Sequence, residues 1–210
     1  MAPRKTLPAL ASAAAALSSH DRILQAAKQL FATRGYENTS TVNIARLAGT
    51  SESQLMKHFG SKEGLLEAIF EQGWEQMGFY YRGIEELTSP TEKLQALLDL
   101  VVNALERDQE LKALMLLEGR RVRKEGRMIL MTEGYLRFVK VLDGILMQMK
   151  QSGAMRADLD TQALRSGLTG MFEGMLRDQV LAQRMGYPAT YGIKELRAVF
   201  NAVIEAMVKR

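Results

Sequence analysis

The sequence predicts an all-α protein, and three observations support this fold class. Only four prolines occur in 210 residues, so long stretches are free of helix breakers. Apolar residues recur at helical spacing along most of the chain, and no stretch alternates with a period of two over the length of a strand. We expect about nine helices, divided between an N-terminal three-helix domain at 18–66 and a larger helical domain at 67–210, after a flexible arm at 1–17.

Composition excludes several functional classes. The chain has no cysteine, so it has neither a disulfide framework nor a thiol nucleophile nor a cysteine zinc site. The two histidines, His20 and His58, are too few and too far apart for HExxH or a three-histidine site. Because P-loop, GxGxxG and GxSxG motifs are also absent, we expect no enzyme, no metal and no cofactor.

No apolar run approaches the roughly 18 residues of a membrane span, so we expect a cytoplasmic protein.

Charge is unevenly distributed along the chain. Residues 1–62 contain eight Lys or Arg and three Asp or Glu, a net charge of +5. The remaining residues contain twenty Lys or Arg and twenty-one Asp or Glu, a net charge of −1. A basic end on a near-neutral body indicates a polyanion-binding module attached to another domain. A merely solvated basic surface is the alternative.

The first three helices form a helix-turn-helix pattern. Ser18 and Asp21 are typical of a helix start, and Gly35 ends that helix. A second helix is predicted at about 40–48 and a third at 51–59, where Ser51 to Gln54 fits a capping box. Gly49 between them permits a tight turn with positive φ. The third helix has an apolar back and a polar front, as a DNA recognition helix requires.

The polar residues of this region are candidate DNA contacts. Gln54 can pair with adenine and Lys57 with guanine or phosphate, whereas the hydroxyls and amides at a helix start suit a phosphate. The alternatives are that Gln54 folds back onto Ser51, that Lys57 is only solvated, and that His58 bonds within the domain. The complete set of candidates is Thr39, Ser40, Thr41, Ser51, Ser53, Gln54, Lys57, His58 and Lys62.

The segment from Ile23 to Phe70 resembles the DNA-binding domain of the TetR/AcrR family of bacterial transcription regulators. The resemblance is carried by Ala27, Leu30, Phe31, Gly35, Tyr36, Thr39, Ser40, Ile44, Ala45, Ala48, Gly49, Ser51, Leu55, His58, Phe59, Lys62, Glu63, Leu65 and Leu66. It implies a homodimer with one recognition helix per subunit, an imperfect inverted repeat in double-stranded DNA as operator, and a C-terminal ligand domain. Met56 departs from the pattern, since the family usually has an aromatic residue there that often contacts phosphate.

The C-terminal body is predicted to consist of long helices. The fourth helix is expected to run from Lys62 to about Leu87 and to carry Phe70, Trp74, Met77 and Tyr81 on one face. Further helices are predicted at about 91–106, 109–125, 128–151, 158–185 and 190–209.

Thirteen methionines are unusual for this length, and thioethers make adaptable cavity walls. We expect a cavity for a small apolar or aromatic effector, although the same residues would also suit a plain core. The candidate ligand contacts are Trp74, Met77, Tyr81, Met115, Met147, Met171 and Met175.

The last two helices are candidates for the dimer interface. The final helix has a wide apolar stripe, and glycines at helical spacing in the preceding one would permit a close helix approach. Burial inside one subunit is the alternative. The candidates are Gly167, Gly170, Gly174, Leu196, Val199, Phe200, Val203 and Met207.

Together these features predict a transcription regulator, in particular a repressor that a small ligand releases from an inverted-repeat operator. The alternative is a dimeric DNA-binding protein, an activator or an architectural protein, without a small-molecule ligand.

Overall fold

A computed structural model describes residues 17–122, 126 and 128–208. The predicted N-terminal arm lies outside these residues except for Leu17. The described part of the chain contains ten helices and no strand, so the all-α prediction is confirmed. The chain divides into two compact units between Ile69 and Phe70, and each unit is described by itself.

The first unit contains α1 (Ser19–Arg34), α2 (Thr41–Leu47), α3 (Glu52–Phe59) and the first half of α4 (Lys62–Gly78). Serine side chains begin the first three helices. Ser18, Ser40 and Ser51 accept backbone N–H groups from the residues three positions onward. The core of this unit is fully buried and apolar, and it includes Ile23, Ala27, Phe31, Ile44, Leu55, Leu65 and Leu66.

The second unit contains the rest of α4 and six further helices. They are α5 (Tyr81–Glu85), α6 (Pro90–Arg107), α7 (Gln109–Glu118), α8 (Glu133–Gln151), α9 (Thr161–Met185) and α10 (Ile193–Met207). α6 packs against α8 and α7, α9 packs against α8 and α7, and α10 packs against α6. Among the described residues, none of the helices combines the length and the apolar composition that a membrane span requires.

The predicted fourth helix is wrong in its length, because the structure divides 62–87 into α4 and α5. The chain turns at Phe79 and Tyr80, directly after Gly78, and glycine has a low helix propensity. The predicted helix at 109–125 also ends early, at Glu118. A Cβ at Gly119 would lie 2.5 Å from the Met115 carbonyl oxygen, so only glycine fits this turn.

The helix predicted at 128–151 instead begins at Glu133, where the Thr132 side chain accepts the Tyr135 N–H. A glycine near its start permits close packing against α4. A Cβ at Gly134 would lie 2.5 Å from the Cβ of Trp74. The Glu71 carboxylate accepts the Gly134 N–H at 2.8 Å and also bonds Arg137 at 3.1 Å. These contacts hold α8 against the second half of α4.

Candidate DNA-binding and ligand-binding sites

The helix-turn-helix lies entirely in the first unit. Gly49 has a φ of 63°, and the Thr50 N–H donates to the Ala45 carbonyl at 3.0 Å, which closes the turn. Arg22 on α1 donates to the Ala48 carbonyl at 3.1 Å, and this bond holds the same turn against α1. Leu55 is fully buried and anchors α3 in the core. The turn therefore presents the opposite face of α3 to solvent.

Ser53 and Lys57 are the most available candidates on that face. Both are exposed, and neither makes a hydrogen bond or ion pair with another described residue. Ser40 and Ser51 are also exposed, although each accepts a backbone N–H as a helix cap. Since a capping hydroxyl uses only its acceptor, its own hydrogen remains able to donate to a phosphate.

Gln54 and His58 are held toward α1. Gln54 Oε1 accepts from the Thr50 hydroxyl at 2.7 Å, and its Nε2 donates to the Ser19 hydroxyl at 3.4 Å. His58 Nε2 lies 3.3 Å from the same Ser19 oxygen. The capping box is therefore half formed, because Ser51 caps the helix but Gln54 does not fold back onto it. DNA contact by Gln54 requires the exchange of these bonds.

Thr39, one of the predicted phosphate contacts, is instead buried inside the first unit. The residue is 2% exposed, and its hydroxyl donates to the Leu30 and Gly35 carbonyls at 3.2 and 2.8 Å. A hydroxyl used in this way joins α1 to α2 and is not available to a phosphate. Thr41 bonds the Glu52 carboxylate. Lys62 lies 4.2 Å above the Tyr36 ring and donates to the Glu37 carbonyl at 3.5 Å.

The second unit contains an apolar cavity of about 90 Å³. Its walls come from α4 and α6 to α10 and from the segment before α8. The lining residues are Trp74, Leu94, Leu97, Leu98, Val101, Leu105, Met115, Leu116, Leu130, Tyr135, Phe138, Leu142, Leu168, Thr169, Phe172, Glu173, Phe200 and Ile204. Trp74 stacks on Phe138 with ring centroids 4.9 Å apart, so aromatic side chains form one wall.

Glu173 is the one charged residue among the described lining residues. Its carboxylate accepts two hydrogen bonds from Arg120, at 2.5 and 2.6 Å. The hydrogen bonds to Glu173 raise the pKa of the Arg120 guanidinium above its ordinary value, so the guanidinium stays charged at neutral pH. The indole N–H of Trp74 is buried and has no acceptor among the described residues. The cavity is therefore apolar with a few polar groups in its wall.

The predicted ligand residues are only partly brought together. Trp74 and Met115 line the cavity, whereas Met77 is buried away from it and Tyr81 lines a separate groove. Met147 on α8 is 47% exposed, and Met171 and Met175 on α9 are half-buried outside the wall. Sequence reasoning missed the leucines of α6 and the aromatic residues Tyr135, Phe138 and Phe172, which have core-like spacing.

The predicted dimer residues separate into two groups. Leu196, Phe200 and Met207 are buried within the protomer because that face of α10 packs on its own core, and Phe200 lines the cavity. Val199 is 41% exposed and Val203 is half-buried. A Cβ at Gly167 or Gly170 would meet no heavy atom of the described chain within 4 Å, and at Gly174 only Arg177, at 4.0 Å.

An exposed recognition helix and a separate helical unit with an apolar cavity define the class of DNA-binding regulators with a ligand domain. Residues 23–69 match the family model of bacterial regulatory proteins, tetR family, and residues 74–205 match the YsiA-like protein, C-terminal region. The chain belongs to the TetR family of transcription regulators. Within that family its larger unit is of the YsiA-like kind.

Similar proteins include regulators of lipid metabolism. The fatty acid metabolism regulator protein of Bacillus subtilis is 28% identical over 193 residues, which cover 89% of this chain and 92% of that one. The structure of FadR from Bacillus subtilis, in complex with stearoyl-CoA, is 26% identical, with a TM-score of 0.75 over 90% of this chain and 98% of that one. FadR from Bacillus halodurans shares the fold, with a TM-score of 0.77 at 24% identity and 96% coverage of both chains.

Proposed function

We propose that this protein is a homodimeric repressor that an amphipathic ligand with a long apolar chain releases from an inverted-repeat operator. The observation that carries the proposal is the apolar cavity with Trp74 in its wall. Trp74 lies on α4, the helix that begins at Lys62 directly after the recognition helix. A ligand that displaces Trp74 therefore acts on a helix that is continuous with the DNA-binding unit. The protein would act in the cytoplasm, where the DNA is accessible.

The cavity's size supports a change of shape on binding. Its volume of about 90 Å³ is below the roughly 300–1,000 Å³ of preformed ligand pockets. A long chain can enter only if the walls move apart. Because interiors are close-packed, this separation requires the helices to shift as units. The ligand then favours the shifted state by its differential affinity for the two states.

The chemical class of the ligand is proposed from the wall and from the relatives. Aliphatic and aromatic side chains provide nearly the whole lining, which suits a long hydrocarbon chain. Arg120 and Glu173 provide a polar end, at which a polar or anionic head group can exchange for one partner of the ion pair. A relative with 26% identity was solved with stearoyl-CoA, so long-chain acyl-CoA is the first class to test.

The test uses Trp74 as its own reporter, since it is the only tryptophan in the chain. An operator is first selected from random duplexes. Stearoyl-CoA is then titrated against the protein while Trp74 fluorescence and operator binding are followed together. The proposal predicts that fluorescence changes and operator release share one midpoint. Operator binding that is insensitive to acyl-CoA thioesters of every chain length, with no change in fluorescence, would contradict it and favour a regulator without a ligand.

The dimer is proposed to form through the outward faces of α9 and α10. Ala198, Val199, Ala202 and Ala206 are exposed apolar residues on one face of α10. The open glycines of α9 would let a partner helix approach closely. Ala202→Glu is expected to convert the dimer to monomers in sedimentation, because it would bury an unpaired carboxylate. Leu136→Glu, at an apolar position on α8 that is also exposed, is the control and should remain dimeric.

A further inference from the structure

A second opening in the larger unit has a different chemistry from the apolar cavity. It is a surface groove of about 390 Å³ formed by α5, the first turn of α6 and one side of α8. It shares no lining residue with the cavity. Its polar lining residues are Tyr81, Glu85, Lys93, Arg137, Lys140 and Gln148.

Cations outnumber acids in this groove. Lys93, Arg137 and Lys140 line it together with one carboxylate, Glu85. Lys93 donates to the Gln148 side-chain oxygen at 3.1 Å, a bond that leaves its charge uncompensated. Arg137 bonds Glu71 through one nitrogen at 3.1 Å and is 55% exposed, so other N–H donors remain free for a ligand.

Lys140 and Tyr81 complete the set of donors. Lys140 is exposed and makes no hydrogen bond or ion pair with another residue that the structure describes. Tyr81 is 8% exposed, and its hydroxyl is buried and has no partner in the described part of the chain. Burial raises the pKa of Tyr81 to about 12, against a smaller opposite effect of Arg137. The phenol is therefore protonated at neutral pH and acts as a donor.

An unpartnered buried hydroxyl beside a guanidinium indicates a missing acceptor. Phosphate fits this donor set better than a carboxylate, because its oxygens project in three directions and its charge at neutral pH is about −1.5 to −2, against −1 for a carboxylate. A cation is disfavoured, since Glu85 is outnumbered three to one in the lining.

We propose that this groove binds a phosphate-bearing anion, with Tyr81, Arg137 and Lys140 as the donors to its oxygens. The anion can be free phosphate or the phosphate end of a larger ligand. The proposal goes beyond the repressor function and does not depend on the apolar cavity.

The experiment measures binding to the full-length protein by calorimetry at constant ionic strength. The probes are inorganic phosphate and coenzyme A without an acyl chain. The variants are Tyr81→Phe, which keeps the ring and removes the unpartnered hydroxyl, and Lys140→Gln, which removes an exposed charge. Lys194→Gln is the matched control, because Lys194 is exposed on α10 and does not line the groove. Thermal unfolding verifies that all three variants are folded.

Each groove variant is expected to weaken binding by about tenfold, as the loss of a hydrogen bond to a charged group predicts. Lys194→Gln should bind like the wild type. If both probes show this pattern, the groove accepts free phosphate. If only coenzyme A shows it, the phosphate belongs to a larger ligand. The proposal is overturned if neither probe binds, or if both groove variants bind as tightly as the wild type. Either outcome is distinguishable from failure of the repressor proposal, which Trp74 fluorescence and operator release test separately.

Discussion

Lys57 provides the sharpest test of the DNA-binding face. It is exposed on α3, two residues after the buried anchor Leu55 and therefore on the opposite face of the helix, and it makes no bond with another described residue. Replacing it with alanine therefore leaves the fold of the first unit unchanged. If Lys57 contacts a phosphate, the loss appears in the salt dependence of operator binding.

The size of the expected change in salt dependence follows from the release of counterions that DNA phosphates hold. Each phosphate contact contributes about −0.9 to the slope of log K against log salt concentration. A dimer on an inverted repeat loses one contact per protomer, so Lys57→Ala should make the slope less steep by about 1.8. Between 50 and 200 mM salt, the ratio of wild-type to variant affinity should then change by roughly tenfold.

The assay is fluorescence anisotropy on the selected operator at four or more salt concentrations. Lys194→Ala, at an exposed lysine outside both the first unit and the basic groove, is the control and should keep the wild-type slope. A guanine contact instead of a phosphate contact would leave the slope nearly unchanged and relax discrimination at one base pair in each half-site. An unchanged slope together with unchanged discrimination at every base pair would refute a DNA contact by Lys57.

Three further predictions concern stability, each measured as the free energy of unfolding in urea. Ser51→Ala should lose about 1 kcal/mol through the lost cap of α3, whereas Ser53→Ala, which breaks no bond among the described residues, should be close to neutral. Leu146→Ala, at a position with 0% exposure, should lose about 2–5 kcal/mol, and Leu136→Ala on the same helix, 48% exposed, less than about 0.5 kcal/mol. The free energy of unfolding of the wild type, compared with that of Tyr81→Phe, should fall as the pH rises from 10 toward 12. Burial raises the pKa of Tyr81 to about 12 in the folded protein, so the phenol ionises first in the unfolded chain. A difference that stays constant with pH would contradict the burial of that hydroxyl.

The helix-turn-helix was predictable because its signals are local. Ser18 and Ser51 act as caps, and Gly49 has the positive φ that the turn requires. None of these features depends on residues far away in the sequence. Thr39 shows the limit of local reasoning. Its place before α2 suggested a phosphate contact, but its hydroxyl bonds the Leu30 carbonyl nine residues earlier, which only the tertiary fold reveals.

The cavity was less predictable because its lining depends on how six helices pack. Methionine abundance indicated an adaptable interior, yet Met115 lines the cavity whereas Met147 faces solvent. Helical spacing separates two faces of a helix but does not show which face meets a cavity and which meets close-packed core. Gly134 is the most useful signal that was missed, since a glycine in the first turn of an amphipathic helix indicates close approach of a neighbouring helix.

The same close approach bears on how a ligand signal would travel. At Gly134 the α8 backbone lies against the Cβ of Trp74, and Glu71 bonds both Gly134 and Arg137. With no side chain between α8 and Trp74, a ligand that spreads the cavity must move α4 and α8 together or break the Glu71 bonds. Gly134→Ala would force a separation without any ligand, because a Cβ 2.5 Å from that of Trp74 cannot be accommodated by a side-chain rotation. Under the proposed function, this variant should mimic the ligand by weakening operator binding. Gly144→Ala, where a Cβ meets no described atom within 4 Å, should bind the operator as the wild type does.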